Sequence, residues 1–348
     1  MKTIKDLKNL KDQTVLVRVD YNVPLKDGQI TDDLRIRASL PTLEYLRKAG
    51  AKKIILISHL GRPEGFDKTL TLAPVAKALD KLIGNVDFVE DVSGAKVESA
   101  VKNLKDSGIL LLENLRFYPG EKQNDSDFIE KIVKSTGANL FVQDGFAVVH
   151  RAHASTDAIK NHLPVYAGLL LEKEVANLKS ALDHPTRPVV LVIGGSKIED
   201  KQPLIDKFLG LADSILVGGK IAADGYKSDN PKILVAYDFD EDSAHTKLDI
   251  GPLSTADFVE KLRDARTIIW NGCLGKVEDP AFSTASSIIA HTIGENTNAT
   301  SIICGGDTTG FVENYLKDHA NLIYSLISTG GGAALEFLLG KDLPGLDF

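Results

Sequence analysis

The strongest constraint on the fold is a repeated alternation between short apolar runs and longer segments with helical periodicity. The apolar runs are rich in Val, Ile and Leu and are continuous, as is typical of strands that are covered on both faces. This order predicts an α/β fold with parallel sheets. The predicted strands are 14–20, 53–58, 108–114, 139–144, 188–195, 213–219, 266–272, 300–306 and 321–328.

The alternation breaks once, near residues 164–187. Residues 169–182 have helical periodicity with few breakers, so we expect a single helix to join two α/β halves and to act as a hinge. The predicted domains are 1–167 and 168–332, and the second of these includes the hinge helix. Residues 220–252 are the least regular part of the chain, apart from an apolar run at 233–239.

Charge and composition exclude several classes of protein. The net charge of -7 argues against a nucleic-acid partner bound by bulk electrostatics. Seven of the ten arginines precede residue 152, which is consistent with a small-anion site in the first half. Cys273 and Cys304 have no metal-binding or redox spacing, and no apolar run reaches about 18 residues. We therefore expect a cytoplasmic protein that neither binds nor spans a membrane.

The residues that follow the predicted strands differ between the two halves. Ligands of open parallel sheets bind beyond the carboxyl ends of the strands. In the first half these positions hold Asp, Asn, His and Arg, which suit a small, highly charged anion. In the second half they hold glycine turns, which expose backbone N–H groups to phosphates. The turns include Gly194-Gly195, Gly218-Gly219, Asn271-Gly272, Gly305-Gly306 and Gly330-Gly331-Gly332.

Single features of this pattern have ordinary structural explanations. A glycine pair after a strand is usually a tight turn, a lone histidine is usually packed, and Asp307 could be an N-cap. Residues 189–201, VVLVIGGSKIEDK, do not match the P-loop pattern G-x-x-x-x-G-K-[ST]. The combination of charged residues in one half with glycine turns in the other is more informative. It predicts a binding site for a small acid in the first half and one for a nucleotide in the second. Asp307 is placed to face a Mg²⁺ ion that bridges phosphates.

Several long motifs in order now identify a family. They include RVDYNVPLKDGQITDDLRIRASLPT, SHLGRP, LLENLRFYPGE, QDGFAVVHRAHAST, GGSKIEDK, CGGDTTG and STGGGAALEFLLGKDLPGL. On these residues the chain resembles phosphoglycerate kinases along nearly its whole length. The resemblance implies two doubly wound domains, with residues from about 333–348 completing the first. It also implies phosphoryl transfer between 1,3-bisphosphoglycerate and ADP, giving 3-phosphoglycerate and ATP, by a Mg²⁺-dependent monomer.

The resemblance also implies the site residues. Arg35 and Lys197 would be catalytic and would flank the transferring group from opposite domains, with Asp307 facing the metal. The substrate side would use Asp20, Tyr21, Asn22, Arg35, His59, Leu60, Gly61, Arg62, Arg116 and Arg151. The nucleotide side would use Gly195, Lys197, Lys201, Gly218, Gly219, Asn271, Glu278, Gly305, Gly306, Asp307 and Thr308.

The sequence departs from the family pattern between about 220 and 252, where it is shorter. We therefore expect a shortened C-terminal domain, and nucleotide preference stays open. Lys220 is either a new phosphate contact or a surface lysine. A regulatory protein without turnover is an alternative function, although Arg35, Lys197, Lys201 and Asp307 are all present. A dinucleotide oxidoreductase would need G-x-G-x-x-G after the first strand, where Asp20-Tyr21-Asn22 stands instead.

Overall fold

The computed structural model describes residues 1–7 and 9–348, which form two compact units. The first unit comprises Met1–Lys173 and Asp342–Phe348, and the second comprises Glu174–Lys341. Each unit contains one six-stranded sheet in which all neighbouring strands are parallel. The predicted α/β class with two parallel sheets is confirmed. No helix in the described ranges is both long and apolar enough to cross a membrane.

The first sheet has the strand order β5-β6-β4-β1-β7-β8, and β2 pairs with β3 in a separate hairpin. The strands are β1 (Thr14–Arg18), β2 (Leu25–Lys26), β3 (Gln29–Ile30), β4 (Lys53–Ile57), β5 (Val86–Val89), β6 (Gly108–Leu112), β7 (Leu140–Gln143) and β8 (Val165–Ala167). The helices are α1 (Leu34–Lys48), α2 (Ala73–Ile83), α3 (Ala95–Asn103), α4 (Pro119–Lys122) and α5 (Ser126–Thr136). Helix α6 (Leu169–Asp183) contains the boundary between the units.

The second sheet has the strand order β11-β10-β9-β14-β15-β16, and β12 pairs with β13 in an antiparallel hairpin. The strands are β9 (Val189–Ile193), β10 (Ser214–Val217), β11 (Ile233–Val235), β12 (Phe239–Glu241), β13 (Lys247–Ile250), β14 (Thr267–Asn271), β15 (Thr300–Cys304) and β16 (Leu326–Ile327). The helices are α7 (Gln202–Phe208), α8 (Gly219–Ala223), α9 (Pro252–Asp264), α10 (Thr284–Glu295), α11 (Gly306–Leu316) and α12 (Gly331–Leu338).

Burial on both faces explains the continuous apolar runs. In β1, Val15 and Val17 pack in a core with residues of α1 and α2, whereas Leu16 packs in a core with residues of α3 and α5. Side chains alternate between the two faces of a strand, so a strand covered on both faces needs apolar residues at every position. The apolar runs are therefore a direct consequence of helices on both sides of this sheet.

Several short strands were not predicted, namely the hairpin strands β2, β3, β12 and β13 and the sheet strands β5 and β8, and one predicted strand is shorter than expected. Strands β5 and β8 lie at the edges of the first sheet and are too short to stand out in the sequence. The strand expected at 321–328 contains only Leu326–Ile327. Before it, the Ile323 N–H donates to Gly294 O at 3.1 Å and the Tyr324 hydroxyl donates to Ala290 O at 2.8 Å. Residues 323 and 324 therefore bond to α10, and contact with β15 begins only at Ser325, whose N–H donates to Ser301 Oγ at 3.1 Å.

The chain terminus packs within the first unit. Gly345 N donates to Val149 O at 2.8 Å, and Lys160 Nζ donates to Pro344 O at 2.9 Å. A Cβ atom at position 345 would lie 2.7 Å from the Cα atom of Val149, so the close approach requires glycine. These contacts hold Asp342–Phe348 against the loop that follows β7.

The start of α6 is tied to the first sheet by Asp144, which directly follows β7. Asp144 Oδ1 accepts hydrogen bonds from the Thr42 hydroxyl at 2.9 Å and from Leu170 N at 3.1 Å. The carboxyl is fully buried, and its Oδ2 atom has no hydrogen-bond partner in the described part of the chain. Burial raises the pKa of Asp144 to about 7, against the bonds from Thr42, Leu171 and Leu170.

This raised pKa predicts a pH-dependent stability. The folded carboxyl keeps its proton up to about pH 7, whereas an unfolded aspartate releases it near pH 4. The stability from Asp144 is therefore fully present below about pH 4 and is lost as the pH rises toward 7. In denaturant titrations, the free energy of unfolding of wild type should fall between pH 4.5 and pH 7.5 relative to Asp144→Asn, which cannot titrate.

The exposed helix-capping aspartate Asp125 supplies a control. Its carboxylate accepts from the backbone N atoms of Asp127 and Phe128 in contact with solvent. Asp125→Asn should not reproduce the relative change between the two pH values. Parallel pH curves for wild type and Asp144→Asn would contradict the prediction.

Candidate active site

The residues that follow β1 and β4, together with Arg35 of α1, form one hydrogen-bonded cluster in the first unit. Asp20 forms a salt bridge with Arg35, whose side chain keeps 30% of its surface exposed. Asn22 Oδ1 accepts from Gly61 N at 2.8 Å, and Arg116 Nη1 donates to Gly61 O at 2.6 Å. Gly61 has a φ angle of +64°, a backbone conformation that favours glycine. Six of the predicted substrate residues (Asp20, Asn22, Arg35, His59, Gly61 and Arg116) are thus in one place, with His59 Nδ1 3.7 Å from Asp20 Oδ1.

The electrostatics of this cluster, which we call the acceptor cluster, favour an anion. Burial, followed by the positive charges of nearby arginines, lowers the pKa of His59 well below its usual value. Burial also lowers the pKa of Arg116 to about 10, and the charges of Arg18 and Arg151 add to that effect. Each cation in the cluster therefore disfavours further positive charge on its neighbours. An anionic ligand would relieve this repulsion.

The remaining predicted residues of the first unit have different environments. Tyr21 is fully buried, and its hydroxyl lies 2.9 Å from Ser39 Oγ. Leu60 is 2% exposed, and its N–H donates to Asn114 Oδ1 at 3.2 Å. Arg62 is exposed, and Arg151 is half-buried with Nε 3.0 Å from His150 Nε2. The Tyr21 and Leu60 side chains shape the loops, whereas the two arginines have accessible surface for a ligand.

A cavity of about 440 Å³ lies in the second unit, beyond the ends of β9, β14 and β15. Its lining contains eight of the predicted nucleotide residues: Gly195, Lys197, Lys201, Glu278, Gly305, Gly306, Asp307 and Thr308. The other three predicted residues, Gly218, Gly219 and Asn271, do not line it. Asn271 Oδ1 instead accepts a hydrogen bond from Lys201 Nζ, which orients that lysine. Burial lowers the pKa of Lys201.

Glycines allow three loops of the second unit to meet at the floor of the cavity. A Cβ atom on Gly194 would collide with the carbonyl oxygens of Cys273 and Gly272. A Cβ atom on Gly219 would lie 2.8 Å from Cys273 O and 2.8 Å from Gly195 N. These distances are shorter than Cβ atoms tolerate, so any side chain would separate the loops. The glycine pairs after β9 and β10 therefore have a packing role.

The start of α11 forms one wall of the cavity. Gly305 has a φ angle of +96° and precedes the first helical residue, Gly306. Thr308 Oγ1 accepts from Gly272 N at 2.8 Å, which joins this wall to the loop after β14. The first backbone N–H groups of a helix lack partners within it, and the helix dipole adds positive potential there. The geometry is suited to phosphate groups.

Sequence reasoning missed residues at both sites. In the first unit, Arg18 is 1% exposed and lies at the end of an otherwise apolar strand, and this unusual position was the available signal. Glu121 and Ser155, which lie beside it, gave no signal of their own. In the second unit the missed cavity residues are Ser196, Asp200, Lys247, Leu248, Cys273, Gly275, Lys276 and Val277, whereas Lys220, which was left open as a phosphate contact, and Gly272 of a predicted turn also line the cavity. Lys220 also forms an exposed ion pair with Asp224 at 2.7 Å.

Comparisons with known proteins point to one family. The family model described as phosphoglycerate kinase matches residues 4–236 and 224–341. The phosphoglycerate kinase of Dictyoglomus turgidum is 41% identical over 394 aligned positions, which cover 99% of this chain and 98% of that protein. The phosphoglycerate kinase of Gloeobacter violaceus is 40% identical, and the alignment covers 97% of this chain and 96% of that protein.

The chain belongs to the phosphoglycerate kinase family. It is similar in structure to the phosphoglycerate kinase of Coxiella burnetii, with a TM-score of 0.79 and 33% identity over 99% of this chain and 97% of that chain. The phosphoglycerate kinase of Pyrococcus horikoshii has a TM-score of 0.87 with 29% identity, and 99% and 98% of the two chains are covered. The predicted family and enzyme class, a phosphotransferase with a carboxyl acceptor, are confirmed, and the oxidoreductase alternative is wrong.

This chain is shorter than its curated relatives. The Dictyoglomus alignment extends over 394 positions, whereas this chain has 348 residues, so the relative contains segments that this chain lacks. The family model matches in two parts, which overlap at residues 224–236. In this chain α8 and β11 flank that region, and the β12–β13 hairpin follows. Lys247 and Leu248 of the hairpin line the cavity.

The close approach of the glycine loops predicts that one added methyl group will strongly affect stability. Gly194→Ala should lower the free energy of unfolding by about 1–3 kcal/mol or more, because the new Cβ collides with two backbone carbonyls. It should also weaken ATP binding, measured by titration calorimetry. Gly210→Ala is a matched control, since a Cβ there meets no atom within 4 Å. A Gly194→Ala protein as stable as the control would contradict this account of the cavity floor.

Proposed function

We propose that the chain transfers a phosphoryl group reversibly between ATP and the carboxylate of 3-phosphoglycerate, and that the acceptor cluster and the 440 Å³ cavity bind these two substrates. ATP and ADP are substrates of the family to which it belongs. The two sites are assigned to the two substrates because their residues differ. One is a cluster of arginines with a buried histidine, and the other is a glycine-lined cavity with lysines.

The proposed reaction needs electrostatic stabilisation more than acid-base catalysis. The acceptor is a carboxylate, which is already ionised at neutral pH. The residues must therefore overcome repulsion between two anions and stabilise charge on the transferring group. Arg35 is suited to this role because Asp20 holds one of its nitrogens while part of its side chain stays exposed. Asp20 then orients Arg35 and does not exchange protons.

The donor side uses two lysines and one carboxylate in this proposal. Lys197 contacts the transferring phosphoryl group, and Lys201, held by Asn271, contacts the nucleotide phosphates. Gly305, Gly306 and Thr308 hold the phosphates at the start of α11. Leu248 and Val277 add apolar surface to the cavity, which suits a nucleotide base.

Mg²⁺ fits this donor site. No group of three or more His, Cys, Asp or Glu side chains in residues 1–7 and 9–348 could hold a metal ion by itself. Asp200, Glu278 and Asp307 line the cavity, and Asp307 lies in the first turn of α11, beside the glycines that would hold the phosphates. Mg²⁺ is usually held by one or two carboxylates together with substrate phosphates. When bound, it would neutralise phosphate charge.

The proposal includes a cytoplasmic monomer. Cys273 and Cys304 are both buried and unpaired with each other, which is consistent with a reducing compartment. Sedimentation of the purified protein with and without substrates tests the monomer, and a stable dimer would contradict it.

Arg35→Ala should lower kcat in a coupled assay by a factor on the order of a hundred or more, because it removes a charge that stabilises the transferring group. ATP affinity should stay nearly unchanged, since Arg35 and the cavity lie in different units. Arg37→Ala, on the same helix, is the control; Arg37 pairs with Asp33 at 2.8 Å in an exposed position. An unimpaired kcat for Arg35→Ala would exclude its assigned role.

Asp307→Ala should reduce turnover with ATP and Mg²⁺ and should weaken the Mg²⁺ dependence of ATP binding, because the protein carboxylate for the metal is lost. Calorimetric titration of ATP at several Mg²⁺ concentrations measures this dependence. Asp318→Ala, just beyond the other end of α11, should behave like wild type. An unchanged Mg²⁺ dependence of ATP binding in Asp307→Ala would contradict this role for Asp307.

A further inference from the structure

A buried chain of four side chains lies beneath the acceptor cluster. It runs from Glu121 through Ser155 and Arg18 to His59, all of which are less than 5% exposed. Arg18 is the last residue of β1, where a charged side chain is costly unless it is paired. The negative charge of Glu121 compensates the positive charge of Arg18, and the Ser155 hydroxyl lies between them.

Chemistry fixes which atom donates in each hydrogen bond among these four side chains. The Ser155 hydroxyl donates its single proton to Glu121 Oε1 at 2.6 Å, so its oxygen accepts from Arg18 Nε at 2.8 Å. Ser155 N donates to Glu121 Oε2 at 3.0 Å, and Arg18 Nη1 donates to the Val19 carbonyl. The guanidinium is therefore held on several sides, and Nη2 remains directed at His59.

Arg18 Nη2 lies 3.1 Å from His59 Nδ1. A guanidinium has only donors and stays protonated in proteins, so Nδ1 must be the acceptor and must carry a lone pair. The charged groups that act on this ring are the four arginines Arg18, Arg35, Arg116 and Arg151, and Asp20, whose Oδ1 is 3.7 Å from Nδ1. Burial and the arginine charges keep the pKa of His59 low, so the ring is neutral at physiological pH.

We propose that Arg18 is a positioning residue that fixes His59 as the neutral tautomer with its proton on Nε2. The ring then offers one N–H donor to an anion. This inference deepens the proposed function, because it rests on 3-phosphoglycerate binding at the acceptor cluster. Without Arg18, the ring proton can move to Nδ1 and donate to Asp20. The lone pair would then be on Nε2, where it repels an anionic ligand.

The direct test is the imidazole ¹⁵N spectrum of the unmodified full chain. Long-range ¹H–¹⁵N correlations distinguish a protonated from an unprotonated ring nitrogen, and His59→Gln assigns the signal. The expected result is a protonated Nε2 and an unprotonated Nδ1 for His59, unchanged between pH 6 and 8. A protonated Nδ1 at pH 7 would overturn the proposal. This measurement needs no substrate, so it stays valid if the proposed function fails.

Arg18→Met tests the role of Arg18 in binding. The variant should allow protonation of His59 Nδ1 and should raise KM for 3-phosphoglycerate roughly ten- to a hundredfold at pH 8. The ratio of variant to wild-type KM should be smaller at pH 6, where a protonated ring still donates from Nε2. Taking the ratio removes the titration of the substrate phosphate, whose second pKa is about 6. A ratio independent of pH would contradict the proposal.

Two further variants separate positioning from stability. Arg47→Met removes another partly buried arginine, which donates to the carbonyls of Ile83, Gly84 and Ser107. It should leave the His59 tautomer and the KM ratio unchanged. Ser155→Ala removes the side-chain acceptor of Arg18 while the Ser155 backbone bond to Glu121 can remain. If Arg18→Met does not fold, the ratio of Ser155→Ala to wild-type KM should show the same pH dependence with a smaller magnitude. A Ser155→Ala ratio that does not change with pH would overturn the proposal.

Discussion

Parallel pairing in each sheet is the constraint on which both sites depend. Because every strand of a parallel sheet runs in the same direction, the residues after successive strands meet at one edge. In the first unit this edge gathers Asp20, His59 and Arg116 from loops far apart in the chain. In the second unit it gathers three glycine loops so closely that a methyl group on Gly194 would not fit. The two sites therefore share one architectural origin and differ only in their side chains.

The two sites provide positive potential in different ways. The acceptor cluster concentrates positive charge in a buried setting, and the buried Glu121–Ser155–Arg18 chain provides part of the compensation. The donor cavity instead combines backbone N–H groups with lysines on its lining. A buried cation is costly when unpaired, so the acceptor cluster is the site whose geometry is most constrained by its own electrostatics. That constraint is why the tautomer of His59 follows from the position of Arg18.

Most of the fold could be predicted from the sequence because strands covered on both faces are apolar at every position. The misses lie where this signal is weak. Strands β5 and β8 are short and lie at sheet edges, and the first part of the apolar run at 321–328 bonds to α10 at residues 323 and 324 before the run reaches β15. The candidate site residues were predicted from the resemblance to the phosphoglycerate kinase family, many of whose motifs lie at strand ends. Tyr21 belongs to that motif, yet its side chain packs into the core, and motif position cannot reveal the direction of a side chain.

The sequence by itself determined the α/β class and the family, because periodicity and motif order are local properties, and it predicted most residues of the two candidate sites. Only the tertiary structure decided which partners those residues have. It joined Arg18 to Glu121 through Ser155, placed Asn271 behind Lys201, and brought Lys247 and Leu248 of a shortened region to the cavity. The physical reason is that hydrogen-bond direction, burial and pKa depend on distances between residues that are remote in the chain. Such distances are set by packing, and the linear pattern does not contain them.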